Sequence, residues 1–478
     1  MFKSTKVKII TIILGFFMFF GFIQEKATAA TEPGELLGSG TSYDPYKIQN
    51  DEDLNAFVKI VNNGKKDVCA VLLSDITVNS NLLNRFETTN IRDFELWTPI
   101  NNFTGVFDGN GYSISGLLYR TTTSECGMFV NLSGCVKNLT IDDSYFICQY
   151  TDIKKNIGGI CNVLETNGRL LNCHFNGTID IDQGTSEKHN VGGIVGYNKG
   201  LITDCSVSGN IKSCVYADKF GVGGIAGRNL GTISFCHNTA TISNSYVTTS
   251  YSDSTKYSIT GGIVGYSENG NVTDCYNDGT ISGYGFIGGI VGMSKGVTLE
   301  RCYNTGTVKE YGSSNAYVHA GGILGNASGG TNLPNVIKNC YNTGNVQIRD
   351  TYNVSYPNFR ACGILGSFNT NYSATLEIKY CFNYGTISGH SSYTILPIAD
   401  RNITNCYYLA SSREHSDGIA NTTPYLSSDF NKSSVTGYKV INYLNVDGNE
   451  GIWKSGTNYP ELISSAPKVA SIAVSLSG

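Results

Sequence analysis

Gly261-Gly-Ile-Val-Gly265 and Cys275-Tyr-Asn-Asp-Gly-Thr-Ile281 are the stretches on which the fold turns. Near copies of the first start at Gly158, Gly192, Gly223, Gly288 and Gly321, and at Cys362 with cysteine in the leading place. Copies of the second start at Cys173, Cys205, Cys236, Cys302, Cys340 and Cys381, with a shortened one at Cys406. A two-part motif returning at this period is the signature of one supersecondary unit stacked on copies of itself. Short β-branched runs broken by glycine and asparagine make the unit a β coil. The expectation is an all-β, parallel solenoid with an N-terminal capping helix.

Stacking at about 4.8 Å per coil turns equal positions into ladders. The Ile-Val pair is expected to alternate, one side chain entering the core and one facing out. The glycine pair suits a sharp corner or a close backbone approach. Asn277, Asn304 and Asn383 suit a turn, left-handed or bonded through the side chain, and stacked amides can satisfy one another. The chain has 15 cysteines. One per coil, far from CxxC spacing, predicts a column of buried thiols at Cys173, Cys205, Cys236, Cys275, Cys302, Cys340, Cys381 and Cys406 rather than a disulfide scaffold or a metal site.

Outward from the repeat, Asp51 to Gly64 reads as a helix with Asp51 as N-cap, a Leu54/Phe57/Val58/Val61 stripe and Gly64 as the stop. It would cover the open end of the first coil. Asp108-Gly-Asn-Gly111 predicts strands meeting at a tight turn. Residues 30–150 thus form an N-terminal cap and first degenerate coils, 151–410 the repeat solenoid, and 411–465 a C-terminal cap whose Trp453 covers the last coil. Residues 466–478 are a tail or the start of an immunoglobulin-like domain. Lys3, Lys6 and Lys8, an apolar run from Ile9 to Ile23 and Ala27-Thr-Ala29 have the layout of a signal peptide, residues 1–29, which implies a secreted or cell-surface protein. Its removal takes four of 34 Lys and Arg and one of 38 Asp and Glu, leaving a net charge of −7. That balance, without a basic block, argues against nucleic acid or an anionic membrane as partner.

The paired motifs resemble the GLUG-type repeat of bacterial secreted and surface proteins, and residues 37–464 carry the likeness. The resemblance implies a right-handed parallel β-helix (solenoid) of adhesin-like character. Some relatives join a zinc peptidase domain, but this chain has no His-Glu-x-x-His, so that activity is not carried over. Cys362 departs from the pattern at a glycine corner.

No catalytic residue, cofactor or metal site is expected. Glycoside hydrolysis needs two carboxylates across the bond, yet Asp204 and Asp274, which share the place before cysteine, are interrupted by Phe235. Asp180 and Asp182 in one insertion lack an evident partner. The variable insertions hold Tyr216, Tyr246, Tyr251, Tyr257, Tyr284, Tyr311, Tyr317, Tyr352 and Tyr356 among many Ser, Asn and Thr, a mixture that suits binding loops. Two readings stay open: exposed contacts for a glycan or protein of a host or neighbouring cell, or rings folded back on the wall. The function expected is a monomeric, non-catalytic binding or adhesion module. A polysaccharide lyase or glycoside hydrolase on the same scaffold, or a spacer in a larger surface protein, are the alternatives.

Overall fold

The computed structural model describes residues 36–121, 127–148, 155–181, 189–214, 220–245, 257–311, 318–329, 333–349, 359–369, 375–389, 392–393, 402–409, 422–425, 440–446 and 448–463. These residues form a parallel β-helix with three walls. The first wall holds the strands entering the glycine corner, among them His189–Gly192, Ile259–Gly261, Gly285–Gly288 and Phe359–Cys362. The second holds those leaving it, such as Val195–Asn198, Val264–Glu268 and Leu365–Phe368. The third and longest carries the cysteine motif. Register is kept coil after coil: Gly192 pairs with Gly223, Gly223 with Gly261, Gly261 with Gly288 and Gly288 with Gly321. One hydrophobic core runs from Leu36 to Cys406. The predicted signal peptide and the 466–478 tail lie outside the described residues.

Each glycine of the motif meets a different obstacle. A Cβ on Gly261 would collide with the Val264 carbonyl, and one on Gly265 would lie 2.5 Å from the Val222 nitrogen of the coil below. A Cβ on Gly262 would lie 2.6 Å from Cγ of Asn277, which reaches across the core from the third wall. The two motifs are therefore linked physically: the amide of one needs the missing side chain of the other. Cys362 is fully buried at its corner, where its own strand Phe359–Cys362 is followed by Ser392–Tyr393 while the strand leaving the corner, Leu365–Phe368, ends its sheet among the described residues.

The expected in-and-out alternation of the Ile-Val pair is not found. Ile194 and Val195, like Ile263 and Val264, are all fully buried. The chain turns at the isoleucine, before the wall-two strand begins at the valine, so both side chains point inward. The Asn277, Asn304 and Asn383 positions are strand residues, not left-handed turns. Their amides form one continuous buried ladder, Asn238 to Asn277 to Asn304 to Asn342 to Asn383, with Nδ2-to-Oδ1 distances of 2.6, 2.7, 2.8 and 2.8 Å. Each Nδ2 also donates to the carbonyl two residues on, as in Asn304 to Gly306 at 2.9 Å. The left-handed residue of the coil sits just before the cysteine, at Asn172, Asp204, Phe235, Asp274, Arg301, Asn339, Tyr380 and Asn405. Only asparagine and aspartate take that conformation readily, so Phe235, Arg301 and Tyr380 are held there by the coil.

The helix Asp51–Asn62 buries Leu54, Phe57, Val58 and Val61 over the first coil, with Phe57 against Phe103 and Phe107. Its N-cap is Asn50, not Asp51: Asn50 Oδ1 accepts from Asp53 N, and Asp53 reaches back to Gln49 N. Asp51 instead lies in the first turn, where its charge suits the helix dipole. Gly64 does stand just past the end at φ 116°. The strands around Asp108-Gly-Asn-Gly111 are not a hairpin. Val106–Asp108 and Ser113–Ser115 are successive segments of one coil, both pairing in parallel with Cys135–Cys148, because Asn110 and Gly111 at positive φ bend the wall without reversing it.

The C-terminal segment also departs from expectation. Its helix Val440–Leu444 and hairpin Trp453–Ser455/Pro460–Leu462 lie along the flank of the third wall. Trp453 packs on Tyr341 and Phe382 and donates from Nε1 to Asn339 Oδ1 at 3.0 Å. The indole thus covers a side of the stack rather than its end, because an outer aromatic column offers it more apolar surface there.

Candidate functional site

On the third wall, alternation sends Cys275 and Asn277 inward and Tyr276 and Asp278 outward. The eight motif cysteines are buried and free. Their thiols donate to backbone carbonyls, Cys302 to Glu300 and to Val272 of the coil below at 3.4 and 3.5 Å. Burial pushes the thiols of Cys173, Cys205, Cys275, Cys340 and Cys406 well above the ordinary value.

The residue after each cysteine builds a ladder on the outside. The rings of His237, Tyr276, Tyr303, Tyr341 and Phe382 stack at 4.8, 4.9, 4.9 and 5.0 Å between centroids, within 6° of parallel. Each ring covers the faces of its neighbours, so the surface sees edges and polar tips. Burial pushes the Tyr276 hydroxyl up and the His237 imidazole down, the latter opposed by the charges of Asp278 and Asp204.

The C-terminal hairpin covers Tyr341 and Phe382 with Trp453 and Tyr459 and stops short of the lower rungs. Between hairpin and wall lies a groove of about 620 Å³ floored by His237, Tyr276 and Tyr303. Its sides are Asp204, Phe235, Asp274, Asp278 and Arg301 from the wall and Lys454, Tyr459, Glu461, Leu462 and Ile463 from the hairpin. Arg301 clamps both oxygens of Asp274 at 2.6 and 2.7 Å, and the pairing raises its pKa. Lys454 and Glu461 pair at 3.5 Å. Four carboxylates against two cations leave the groove acidic. Among the described residues no group of three or more His, Cys, Asp or Glu is gathered for a metal ion.

Of the tyrosines expected in binding loops, the described ones, Tyr257, Tyr284 and Tyr311, do not line this groove. Tyr216, Tyr246, Tyr251, Tyr317, Tyr352 and Tyr356 lie outside the described residues. Tyr284 is 4% exposed and belongs to the core. Tyr257 is half-buried against Phe286, 4.6 Å between centroids. Tyr311 is 36% exposed and meets Tyr284 edge-on. Asp180 accepts from the Tyr145 hydroxyl at 3.0 Å, while Asp182 is outside the described residues. Sequence reasoning aligned Asp204 and Asp274, but not the groove. Its floor is legible in the register after cysteine; its other side comes from a segment some 150 residues further on.

A family model described as the GLUG motif matches residues 189–212 and 257–282. These two stretches are GLUG motifs. Each spans the glycine corner and its cysteine motif, so the matched unit is the coil itself. Halomucin of Haloquadratum walsbyi is 30% identical over 184 residues, 37% of this chain. The chain spans only 2% of that protein's length. Among solved structures, a protein of Bacteroides ovatus provisionally described as an immunoglobulin A1 protease aligns with a TM-score of 0.41 at 16% identity, over 89% of this chain and 94% of its own. An IgA1 protease aligns with a TM-score of 0.31 at 13% identity, over 77% of this chain and 21% of its own. Likenesses this low carry no argument about activity. No helix among the described residues is long and apolar enough to cross a membrane.

Proposed function

We propose that this GLUG-repeat β-helix is a secreted or cell-surface binding module without catalytic activity, acting as a monomer on a glycan or protein of a host or neighbouring cell. The carrying observation is the open groove: ladder edges, two carboxylates without an ion pair among the described residues, Asp204 and Asp278, and the Leu462 and Ile463 side of the hairpin meet in one recess. Such convergence of aromatic and polar groups in a concavity is what a ligand site needs.

The arrangement speaks against glycoside hydrolysis. Asp204 and Asp274 stand two coils apart, about 9.6 Å at the usual strand spacing, too far for the ~5–5.5 Å of a retaining pair and at the outer edge of the ~6.5–9.5 Å of an inverting one. Both oxygens of Asp274 are engaged by Arg301, at 2.6 and 2.7 Å, so neither is free to face a leaving group. Among the described residues of this wall, the register places no two acids at neighbouring coils of one column.

The test is an array of glycans and matrix proteins probed with the full chain, alongside Tyr303→Phe and Asp278→Asn, with a parallel assay for release of reducing ends. A ligand whose signal falls in both variants, with no reducing ends released, supports the module. Binding unaffected by both variants, or turnover of a polysaccharide, overturns it.

A further inference from the structure

We infer that the groove seats an arginine side chain carried on an extended peptide of another protein, an assignment that rests on reading the groove as a binding site. Three features lead there. The first is charge. Asp274 and Glu461 are neutralised within the groove by Arg301 and Lys454. Asp204 has no ion pair or side-chain hydrogen bond among the described residues, and Asp278 takes only the Thr305 hydroxyl. Both act electrostatically on His237, one from the coil below and one from the coil above. Two uncompensated negative charges thus bracket a single rung, and a ligand cation below it would pair with Asp204 and be attracted by Asp278 at longer range.

The second feature is a missing rung. Below His237 the register places Ser206, which has no ring. The next ring down, His174, is turned to bond Ser206 Oγ at 2.7 Å and Asn172 Oδ1 at 3.0 Å. The stacked ladder therefore ends at His237, which lines the groove together with Asp204 of the coil below. A planar guanidinium has the thickness of a rung and the charge the site lacks. The same protein already uses that solution on its second wall, where Arg228 is a rung between Tyr197 and Tyr266, at 5.0 and 5.7 Å from the ring centroids.

The third feature selects a peptide over an amino sugar. The strand Pro460–Leu462 pairs only with Trp453–Ser455 among the described residues, and it borders the groove. An unpaired strand edge offers backbone donors and acceptors to an extended chain. Ile463 and Phe235 supply apolar walls for its neighbouring side chains.

The experiment is calorimetric titration of the full chain with acetyl-Gly-Val-Arg-Val-Gly-amide, its lysine and citrulline analogues, and a chitosan oligomer. The arginine peptide should bind, with citrulline weaker by roughly tenfold or more, the scale of a lost charge pair, and lysine intermediate. Asp204→Asn should weaken the arginine peptide several-fold, and Asp278→Asn, two coils or about 9.6 Å above the seated guanidinium, should weaken it less. Ser206→Phe should abolish binding by filling the missing rung; if it fails to fold by circular dichroism, the aspartate variants carry the decision. Equal binding of arginine and citrulline peptides, no binding of any peptide, or binding of chitosan alone overturns the inference. If an array ligand is nevertheless lost in Tyr303→Phe, the groove stands as a binding site and only the arginine assignment falls. If no ligand responds to groove variants, both fall.

Discussion

Replacing Asn304 by alanine tests whether the buried amides form a connected network. Asn304 is fully buried in the middle of the ladder. Its Oδ1 accepts from Asn277 at 2.7 Å, and its Nδ2 donates to Asn342 Oδ1 at 2.8 Å and to the Gly306 carbonyl at 2.9 Å. Truncation strands the Asn342 oxygen, whereas Asn277 Nδ2 keeps the Gly279 carbonyl at 3.0 Å. A buried acceptor left unpaired costs about 1–3 kcal/mol, and the weakened Gly306 carbonyl together with the cavity adds roughly 1–2 kcal/mol. The expected loss is thus about 3 kcal/mol, within the ~1–3 kcal/mol range of damaging core changes. Asn383 is the control. Among the described residues it ends the ladder, receives from Asn342 and donates only to Gly385, so its truncation strands no amide oxygen there and should cost about half as much, near the ~1 kcal/mol of a single net hydrogen bond. Urea unfolding followed by circular dichroism reads both, with an unchanged slope as the check that the transition itself is the same. An Asn304→Ala loss below about 1 kcal/mol, or no larger than that of Asn383→Ala, would refute the network, since each amide would then be satisfied locally.

Gly262→Ala should destabilise the chain strongly, by ~3 kcal/mol or more, because its Cβ meets the Gly289 carbonyl as well as Asn277; Gly111→Ala has open space around it and should cost only the strain of its φ of 84°, as thermal unfolding would show. Native alkylation should spare the eight ladder thiols and label Cys214, which is partly exposed, and mass spectrometry of the digest would report the order. Burial raises Cys135 from 9.0 to about 11. Folding therefore favours its protonated form, and the stability this confers is complete below pH 9 and lost as pH rises from about 9 to about 11; Cys135→Val should flatten that part of the urea-midpoint profile. Trp453→Ala should free the hairpin from Tyr341 and Phe382. With two tryptophans in the chain, the spectrum of the remaining Trp97 should stay blue-shifted while limited proteolysis cuts the hairpin, and an uncut hairpin would show that Trp453 is not its anchor.

The sequence by itself determined the stack. Glycine and cysteine motifs recurring in phase could only pair like with like, so the coil, the parallel register, the thiol column and the N-terminal helix stripe were legible from spacing. Single side chains within the coil were less so. Ile263 and Val264 both turn inward because a corner falls between them, and a corner is a backbone fact that a period-two pattern does not encode. Asn50 rather than Asp51 caps the helix because the choice depends on which oxygen reaches Asp53 N. The groove belongs wholly to tertiary structure. Tyr276 and Tyr303 are evident as ladder residues, yet what makes them a floor is a hairpin brought from residues 453–462 by the contact of Trp453 with Tyr341 and Phe382. Repetition announces local geometry many times over. A site made by two segments far apart in the chain is announced by neither of them.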